Sequence, residues 1–416
     1  MLDNRKNFYW TILGSIFYAL SQWLILTILA KKNQIEYIGQ YAIAIAITTP
    51  IATFLWLNLK ALLATDKQNE FKINDYFNAR LLLSILGLVL TIAIAILLKY
   101  NIEIKFLIVL IAISKCVEGL SDISYGQFQS EGKTYKMGLS FIFRGIIMIV
   151  LFYSLLHFFS NRLLPFIAIP FSTIIVFLVY DSRSELKNRF SFKMFNHHSI
   201  FRLVKLGLPL GLYILFYNLF TQVPRFLLEK QEGFKVVGIY TGIYVLVMTG
   251  VVFGNSLIDV IMPKLASDFS AKNFNQFYRL FFSVLALIIV VFIAGILFCY
   301  FFGSPLLSII YSDSYSEFAY LLYPAIFLMI LELITKLFFC VLVIFRKIKI
   351  QAYLYIFNVL VMIPLCYYCI GKFGVSGAFY SQALVTAIQL VIVATVIYFH
   401  LKKNFALYKI RPDNIE

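Results

Sequence analysis

The feature that most constrains this chain is a series of long apolar stretches. Twelve of them recur along the 416 residues, at about 10–30, 40–62, 79–98, 105–127, 138–159, 164–181, 204–228, 236–260, 277–302, 318–344, 351–371 and 377–400. Each is close to the roughly 20 residues that a helix needs to cross the hydrocarbon of a bilayer. Together they hold most of the residues that make the chain 61% hydrophobic, and charged residues fall to 13%, about half of what a soluble domain carries. A soluble globular enzyme, a disordered chain and a disulfide scaffold are excluded. Two tails and eleven short loops remain, too little for a folded domain outside the membrane. The expected fold class is all-α, a polytopic membrane protein with twelve transmembrane helices.

The first stretch follows Arg5 and Lys6, as the apolar core of a signal peptide does. It is too long for one and ends on Lys31-Lys32 in place of a cleavage site, so it reads as a retained span. An even number of spans puts both termini on one side. Nine basic residues fall on the loops of the other side: Lys31, Lys32, Lys99, Lys105, Arg162, Arg225, Lys230, Lys235 and Lys372. Lys115, Arg144 and Lys336 lie within spans, and the remaining two thirds of the 36 Lys and Arg flank the termini's side. Basic loops stay inside, so both termini are expected in the cytoplasm.

The longest inner loop follows span six. It carries Arg183, Lys187, Arg189, Lys193 and Arg202 with Phe190, Phe192, Phe195 and Phe201 interleaved, a composition suited to an anionic inner leaflet. It divides the chain into a six-helix lobe at 1–181, a basic linker at 182–203, a second six-helix lobe at 204–400 and a cytoplasmic tail at 401–416. An internal repeat agrees with this division. At one constant offset Leu29, Lys31, Gly39 and Tyr41 match Leu228, Lys230, Gly238 and Tyr240, and Asn74, Arg80, Leu81 and Ser84 match Asn273, Arg279, Leu280 and Ser283. Copies separated by six spans insert with the same orientation, a transporter plan that holds substrate between the halves. The outer loop Gly303 to Glu317 is the longest on its face and is expected to lie at the interface.

Several chemistries are missing. Gly126 to Thr134 resembles a phosphate-binding loop, but with five residues between its glycines instead of four, and it follows a span and not a strand. The four histidines have no spacing that would join them into a metal site. The five cysteines all fall inside apolar stretches and read as buried hydrophobes, Cys366 and Cys369 included. The basic residues form no single patch for nucleic acid. No cofactor is expected, and the work this chain does is drawn from a gradient, not from its own ATPase.

What remains is a set of ionisable groups at bilayer depth. Lys115 lies mid-span with Glu118 and Asp122 on the same helical face. Glu332 and Lys336 read as an i, i+4 pair in span ten. Arg144 lies a third of the way into span five, Arg225 at the outer end of span seven and Asp259 at the inner end of span eight. A mid-span charge facing lipid costs about 2.5–3.5 kcal/mol, so these groups are expected to face a hydrated cavity between the halves. In one reading the ion pairs only hold the bundle together. In the other, Lys115, Arg144, Arg225 and Lys336 bind a phosphate-bearing substrate, and Glu118, Asp122, Asp259 or Glu332 carries a coupling ion. Pro209, within Gly207-Leu-Pro-Leu-Gly211, is a candidate hinge.

Several short motifs then stand together in order: Gly39-Gln-Tyr-Ala42, Pro50, Leu59-Lys60, Ala64-Thr-Asp66, Asp122-Ile-Ser-Tyr-Gly126, Arg144-Gly145, Pro209-Leu-Gly211, Pro224-Arg225 and Pro263-Lys-Leu265. In this respect the chain resembles the Wzx-type polysaccharide flippases of the multidrug/oligosaccharidyl-lipid/polysaccharide exporter superfamily, over about residues 10 to 400. The resemblance implies two six-helix lobes in a V, as in MATE transporters, and alternating access. It implies an undecaprenyl-pyrophosphate-linked oligosaccharide as substrate, moved to the outer leaflet of the bacterial plasma membrane for O-antigen, capsule or exopolysaccharide assembly. It implies a polymerase and a chain-length regulator as pathway partners. Arg144 and Arg225 sit in matching motifs, Lys60 stands where an arginine is expected and joins the substrate-binding candidates, and Asp259 departs from an expected Gln. The alternatives are a MATE-type exporter of organic cations, a flippase of the MurJ type, which usually has two more spans, and a membrane polymerase or ligase, which needs a longer outer loop.

Overall fold

The apolar stretches are helices in the computed structural model, which describes residues 2–66, 68, 70–182, 196–271, 273–347 and 349–410. In chain order they are α1 (Leu2–Lys31), α2 (Ile35–Leu55), α3 (Leu59–Thr65), α4 (Ile73–Leu97), α5 (Ile102–Ser130), α6 (Tyr135–Phe158), α7 (Ala168–Val176), α8 (His197–Glu232), α9 (Phe234–Ser270), α10 (Phe274–Ile310), α11 (Asp313–Ser316), α12 (Leu322–Ile344), α13 (Lys349–Phe373) and α14 (Val375–Ile410). Among the described residues none is in a strand. Eleven stretches among them are long and apolar enough to cross a membrane. The twelfth long helix, α5, has the length at 29 residues, but Lys115, Glu118 and Asp122 dilute its apolar run. With it, twelve stretches among the described residues are long enough to cross a bilayer, and the chain is a multi-pass all-α membrane protein. Most of the basic linker (183–195) and the end of the tail (411–416) lie outside the described residues.

One expectation is corrected. Gly303 to Glu317 is not an open loop: α10 continues past Pro305 to Ile310, and α11 follows after two residues. Tyr311 and Tyr315, both fully buried, donate to the carbonyls of Gly242 (2.8 Å) and Gly238 (3.2 Å) of α9. These two anchors bind the segment to a neighbouring helix, a long-range contact that hydropathy does not register.

The chain forms two compact units, Met1–Phe226 and Leu227–Glu416. The division falls inside α8 because the first part of that helix packs on unit 1. There α2 is broken: Leu57 (φ 47°) and Asn58 (φ 50°) are both left-handed. Asn tolerates that region, but a β-carbon makes it costly for Leu, about 1–3 kcal/mol. Gly207 and Gly211 let the α8 backbone close over the break. A β-carbon on Gly207 would stand 2.7 Å from the Leu57 carbonyl oxygen, and one on Gly211 2.8 Å from that of Phe54. Asn218 Nδ2 then donates to Thr53 Oγ1 at 3.2 Å.

Within unit 1, α5 packs on α2, α3, α4 and α7, and α1 pairs with α6. Within unit 2, α12 packs on α9, α10 and α14, and α13 pairs with α14. The two central helices are six spans apart, as the repeat requires. The repeat also has a packing signature. Tyr41 of α2 lies against Phe166 before α7 (centroids 5.3 Å), and its match Tyr240 of α9 lies against Phe379 of α14 (4.7 Å). Counted along the chain, a tyrosine of span two meets a phenylalanine of span six, and a tyrosine of span eight meets a phenylalanine of span twelve. Outward faces are apolar: Leu82, Leu86, Val89 and Leu90 on α4, and Phe282, Leu287, Val290 and Leu297 on α10, are exposed, a pattern that lipid accepts and water does not.

The α1–α6 pairing depends on Gly14 and Gly138, since a β-carbon on either would collide with the backbone of the other helix. Gly138→Leu is therefore expected to part the helices and to cost about 1–3 kcal/mol, read as a lower unfolding temperature in detergent. Gly295→Ala, whose nearest neighbour atom is 3.8 Å away, should be neutral or slightly stabilising, because alanine favours helix over glycine.

Candidate functional site

The polar centre of unit 1 is built along α5. The Asn101 side chain caps the helix by accepting from the Ile104 N–H at 3.1 Å. Gly132 ends it in the left-handed region (φ 69°), with Lys133 N–H returning to the Phe128 carbonyl at 2.7 Å, a Schellman-type close. Gly126 faces the Lys60 carbonyl, where a β-carbon would approach to 3.0 Å. The glycines of the phosphate-loop-like stretch thus serve helix packing and helix termination.

Ser114, Glu118, Ser121 and Tyr125 recur every three or four residues and share one face of α5, flanked by Lys115 and Asp122. Three ionic groups follow along it. In the first, Lys115 Nζ lies 2.8 Å from Glu118 Oε2, and Tyr18 OH of α1 donates to Glu118 Oε1 at 3.2 Å. In the second, Arg144 of α6 donates through Nη2 to Ser121 Oγ and Tyr125 OH, both at 3.1 Å, and reaches Asp181 Oδ2 at 3.5 Å. Its guanidinium also lies over the Tyr18 ring, 5.7 Å from the centroid. In the third, Asp122 is shared by two cations. Arg80 Nη2 of α4 meets Oδ2 at 3.1 Å and Lys60 Nζ of α3 meets Oδ1 at 3.7 Å. The Lys60 ammonium also sits over the Tyr125 ring (5.6 Å), and Arg80 over the Trp56 ring (5.8 Å).

Exposure separates these groups. The side chain of Arg80 is 0% exposed, that of Arg144 3%, that of Lys115, paired at 2.8 Å with Glu118, 22%, and that of Lys60 28%. Arg144 and Asp181 form a buried pair, in which each charge is tolerated because the other is present. Lys60 is the cation of this cluster with the most open surface. It is held there by the break in α2, since α3 begins one residue before it.

The structure therefore brings Lys60, Lys115, Glu118, Asp122 and Arg144 together in unit 1. Arg144 was expected to line a cavity; within unit 1 it is instead sealed among Asp181, Ser121 and Tyr125. Arg225 is also buried, and its Nη1 donates to Gln222 Oε1 (2.7 Å) and to the Thr221 carbonyl (3.3 Å) on its own helix. Pro209 lies inside α8, between the two glycines that cover the α2 break. In unit 2 the expected Glu332–Lys336 pair is corrected: Lys336 Nζ meets Asp259 Oδ1 at 3.0 Å. The cause is the register of α9 on α12. Gly250 lies against Met329 and Gly254 against Leu333, so the next turn brings Asp259 beside Lys336. Glu332 has no ion-pair partner among the described residues.

Arg80, Asp181, Tyr18, Ser121 and Tyr125 were not singled out from the sequence as site residues. A signal existed for Asp181: a buried arginine near one end of span five needs a counter-charge at the same depth, and span six ends there. Arg80 sits near the start of its span, where an arginine reads as a flanking charge.

The buried pair gives a direct test. Asp181→Asn leaves Arg144 buried without its counter-ion and should cost about 3–5 kcal/mol, measured as detergent thermal stability. Replacing both, with Arg144→Met and Asp181→Leu, should recover most of that loss.

With this geometry in view, the relatives can be placed. Residues 5–268 match the model of a family described as polysaccharide biosynthesis protein. The chain is 26% identical over 315 residues to capsular polysaccharide biosynthesis protein CapF of Staphylococcus aureus, covering 75% of this chain and 78% of that protein. Its fold is shared with solved transporters. An inward-facing multidrug resistance MATE family transporter of the MOP superfamily superposes with a TM-score of 0.75 at 13% identity, covering 93% of this chain and 94% of that one. The lipid II flippase MurJ, in an inward closed conformation, gives 0.74 at 16% identity, covering 95% and 87%. The chain shares its fold with these proteins and belongs to the polysaccharide biosynthesis protein family.

Proposed function

We propose that this chain is a flippase that moves an undecaprenyl-pyrophosphate-linked oligosaccharide repeat unit from the inner to the outer leaflet of the bacterial plasma membrane. The repeat unit then feeds surface polysaccharide assembly, alongside a polymerase and a chain-length regulator of the same pathway. Both termini lie in the cytoplasm on this reading, in keeping with the basic residues of the inner loops.

The observation that carries it is the ionic cluster on α5 in a chain of this family. A diphosphate carries at least one negative charge per phosphate, and stripping its water without replacement is prohibitive. Lysine and arginine replace that water as phosphate partners. Two cations share Asp122, and Lys60, with the open surface, has the longer of the two contacts. The affinity such a group provides must stay modest, so that the substrate can leave. Alternating access further needs two states within a few kcal/mol of each other. Glu118 and Asp122 are each already held by a cation, which disfavours them as a site for organic cations and so disfavours the exporter of that type.

The test is complementation of a strain lacking its own flippase, scored as surface polysaccharide with membrane levels of the protein measured in parallel. Lys60→Ala should lower export about tenfold, the factor expected for losing one modest charged contact, while Lys60→Arg retains it. Wild-type export in Lys60→Ala at equal protein level overturns the reading.

A further inference from the structure

The Arg80 side chain is fully buried, and only part of it is satisfied. Nη2 bonds to Asp122, but Nε and Nη1 have no hydrogen-bond partner among the described residues. Its guanidinium also lies over the face of Trp56. Burying an arginine in this state is costly, so what it accomplishes lies in the one bond it makes. That bond is to the carboxylate that also faces Lys60, and the two contacts are unequal. Arg80 holds Oδ2 at 3.1 Å, within hydrogen-bond distance, while Lys60 stands 3.7 Å from Oδ1. Charge-assisted bonds are strong when short. The carboxylate is thus committed to the buried cation, and the half-buried Lys60 is only partly neutralised.

We propose that Arg80 is a positioning residue: by holding Asp122, it keeps the Lys60 ammonium available to an anion. The inference deepens the function proposed above and rests on its use of Lys60. Without Arg80, Asp122 would have Lys60 as its sole ion-pair partner among the described residues and would close onto it. The ammonium would then be neutralised by its own protein. Lys60 can make that move because it already lies over the Tyr125 ring on the same side of α5.

The experiment reads Lys60 itself, in the purified full-length protein. Trace acetylation with acetic anhydride, followed by peptide mass spectrometry, reports how free the amine is. Arg80→Met should lower Lys60 acetylation about tenfold, as an added ion pair of ~1.4 kcal/mol would. The double variant Arg80→Met with Asp122→Asn leaves no unpaired buried charge and should restore wild-type reactivity or exceed it. Arg80→Lys, which keeps a cation beside Asp122, should stay within about twofold of wild type, and it supplies the comparison if Arg80→Met does not accumulate. A role for Arg80 in packing alone predicts no rescue in the double variant. That result, or unchanged acetylation in Arg80→Met, or loss of reactivity in Arg80→Lys, overturns the proposal. Export in the same strains distinguishes the two readings. Acetylation that moves as stated while Lys60→Ala exports normally refutes the transport role of Lys60 and leaves the hold of Arg80 on Asp122 standing.

Discussion

The constraint on which unit 1 depends is that a charge placed at bilayer depth must find its opposite there. α5 carries three ionisable groups within its apolar run, and the helices around it are arranged to answer them. α1 brings Tyr18 to Glu118, α4 brings Arg80 to Asp122, α6 brings Arg144 to the Ser121–Tyr125 face, and the turn after α7 brings Asp181 to Arg144. Each contact is long-range in sequence. Surface pairs of this kind would be worth little, but here removal of one partner strands the other in a low-dielectric interior. The ionic groups therefore fix which helices neighbour α5 as firmly as its apolar packing does.

One member of the cluster differs from the rest, and the difference begins in the backbone. Had α2 continued as a straight helix through Asn58, Lys60 would extend from it along a different line. The two left-handed residues turn the chain, α3 packs on α5, and Lys60 lands over Tyr125 beside Asp122. Strain of this sort persists only where the surroundings over-determine it. Here Leu57 is buried at 2% exposure under Gly207 and Gly211 of α8. The Gly-Leu-Pro-Leu-Gly segment thus clamps the break that sets the position of a candidate site residue more than a hundred residues away in sequence.

The spans were legible in the sequence because burial in hydrocarbon leaves a local mark, a run of about 20 apolar residues. The six-span repeat was legible as identities held at one constant offset, and the Tyr41–Phe166 and Tyr240–Phe379 contacts give it a physical meaning. Charge partners were legible only where both lie on one helix and no better partner comes from outside. Lys115–Glu118 is such a case. Lys336 is the opposite case, since Asp259 on α9 outcompetes the intrahelical Glu332 once the helices are in register. The α2 break left no mark at all: Leu57-Asn58 sits within an apolar stretch with no glycine, and the glycines that permit it are on another helix.

Matching positions of the repeat also differ in their surroundings. Arg80 and Arg279 occupy matching positions, yet Arg80 is fully buried against Asp122 and Arg279 is exposed. The central helix of unit 1 is lined by charges. In unit 2 the buried polar positions of α12, α13 and α14 are instead neutral, with Thr335, Asn358, Gln382, Thr386 and Gln389 all nearly or fully inaccessible. Neutral amides and hydroxyls tolerate burial at lower cost than ions, so unit 2 keeps its helices together without demanding a counter-charge for each. The packing of Tyr41 on Phe166 is matched by that of Tyr240 on Phe379, while the burial of Arg80 against Asp122 has no match at Arg279. On the proposed function, Lys60 offers a headgroup one modest contact to break, and a transporter must release what it binds.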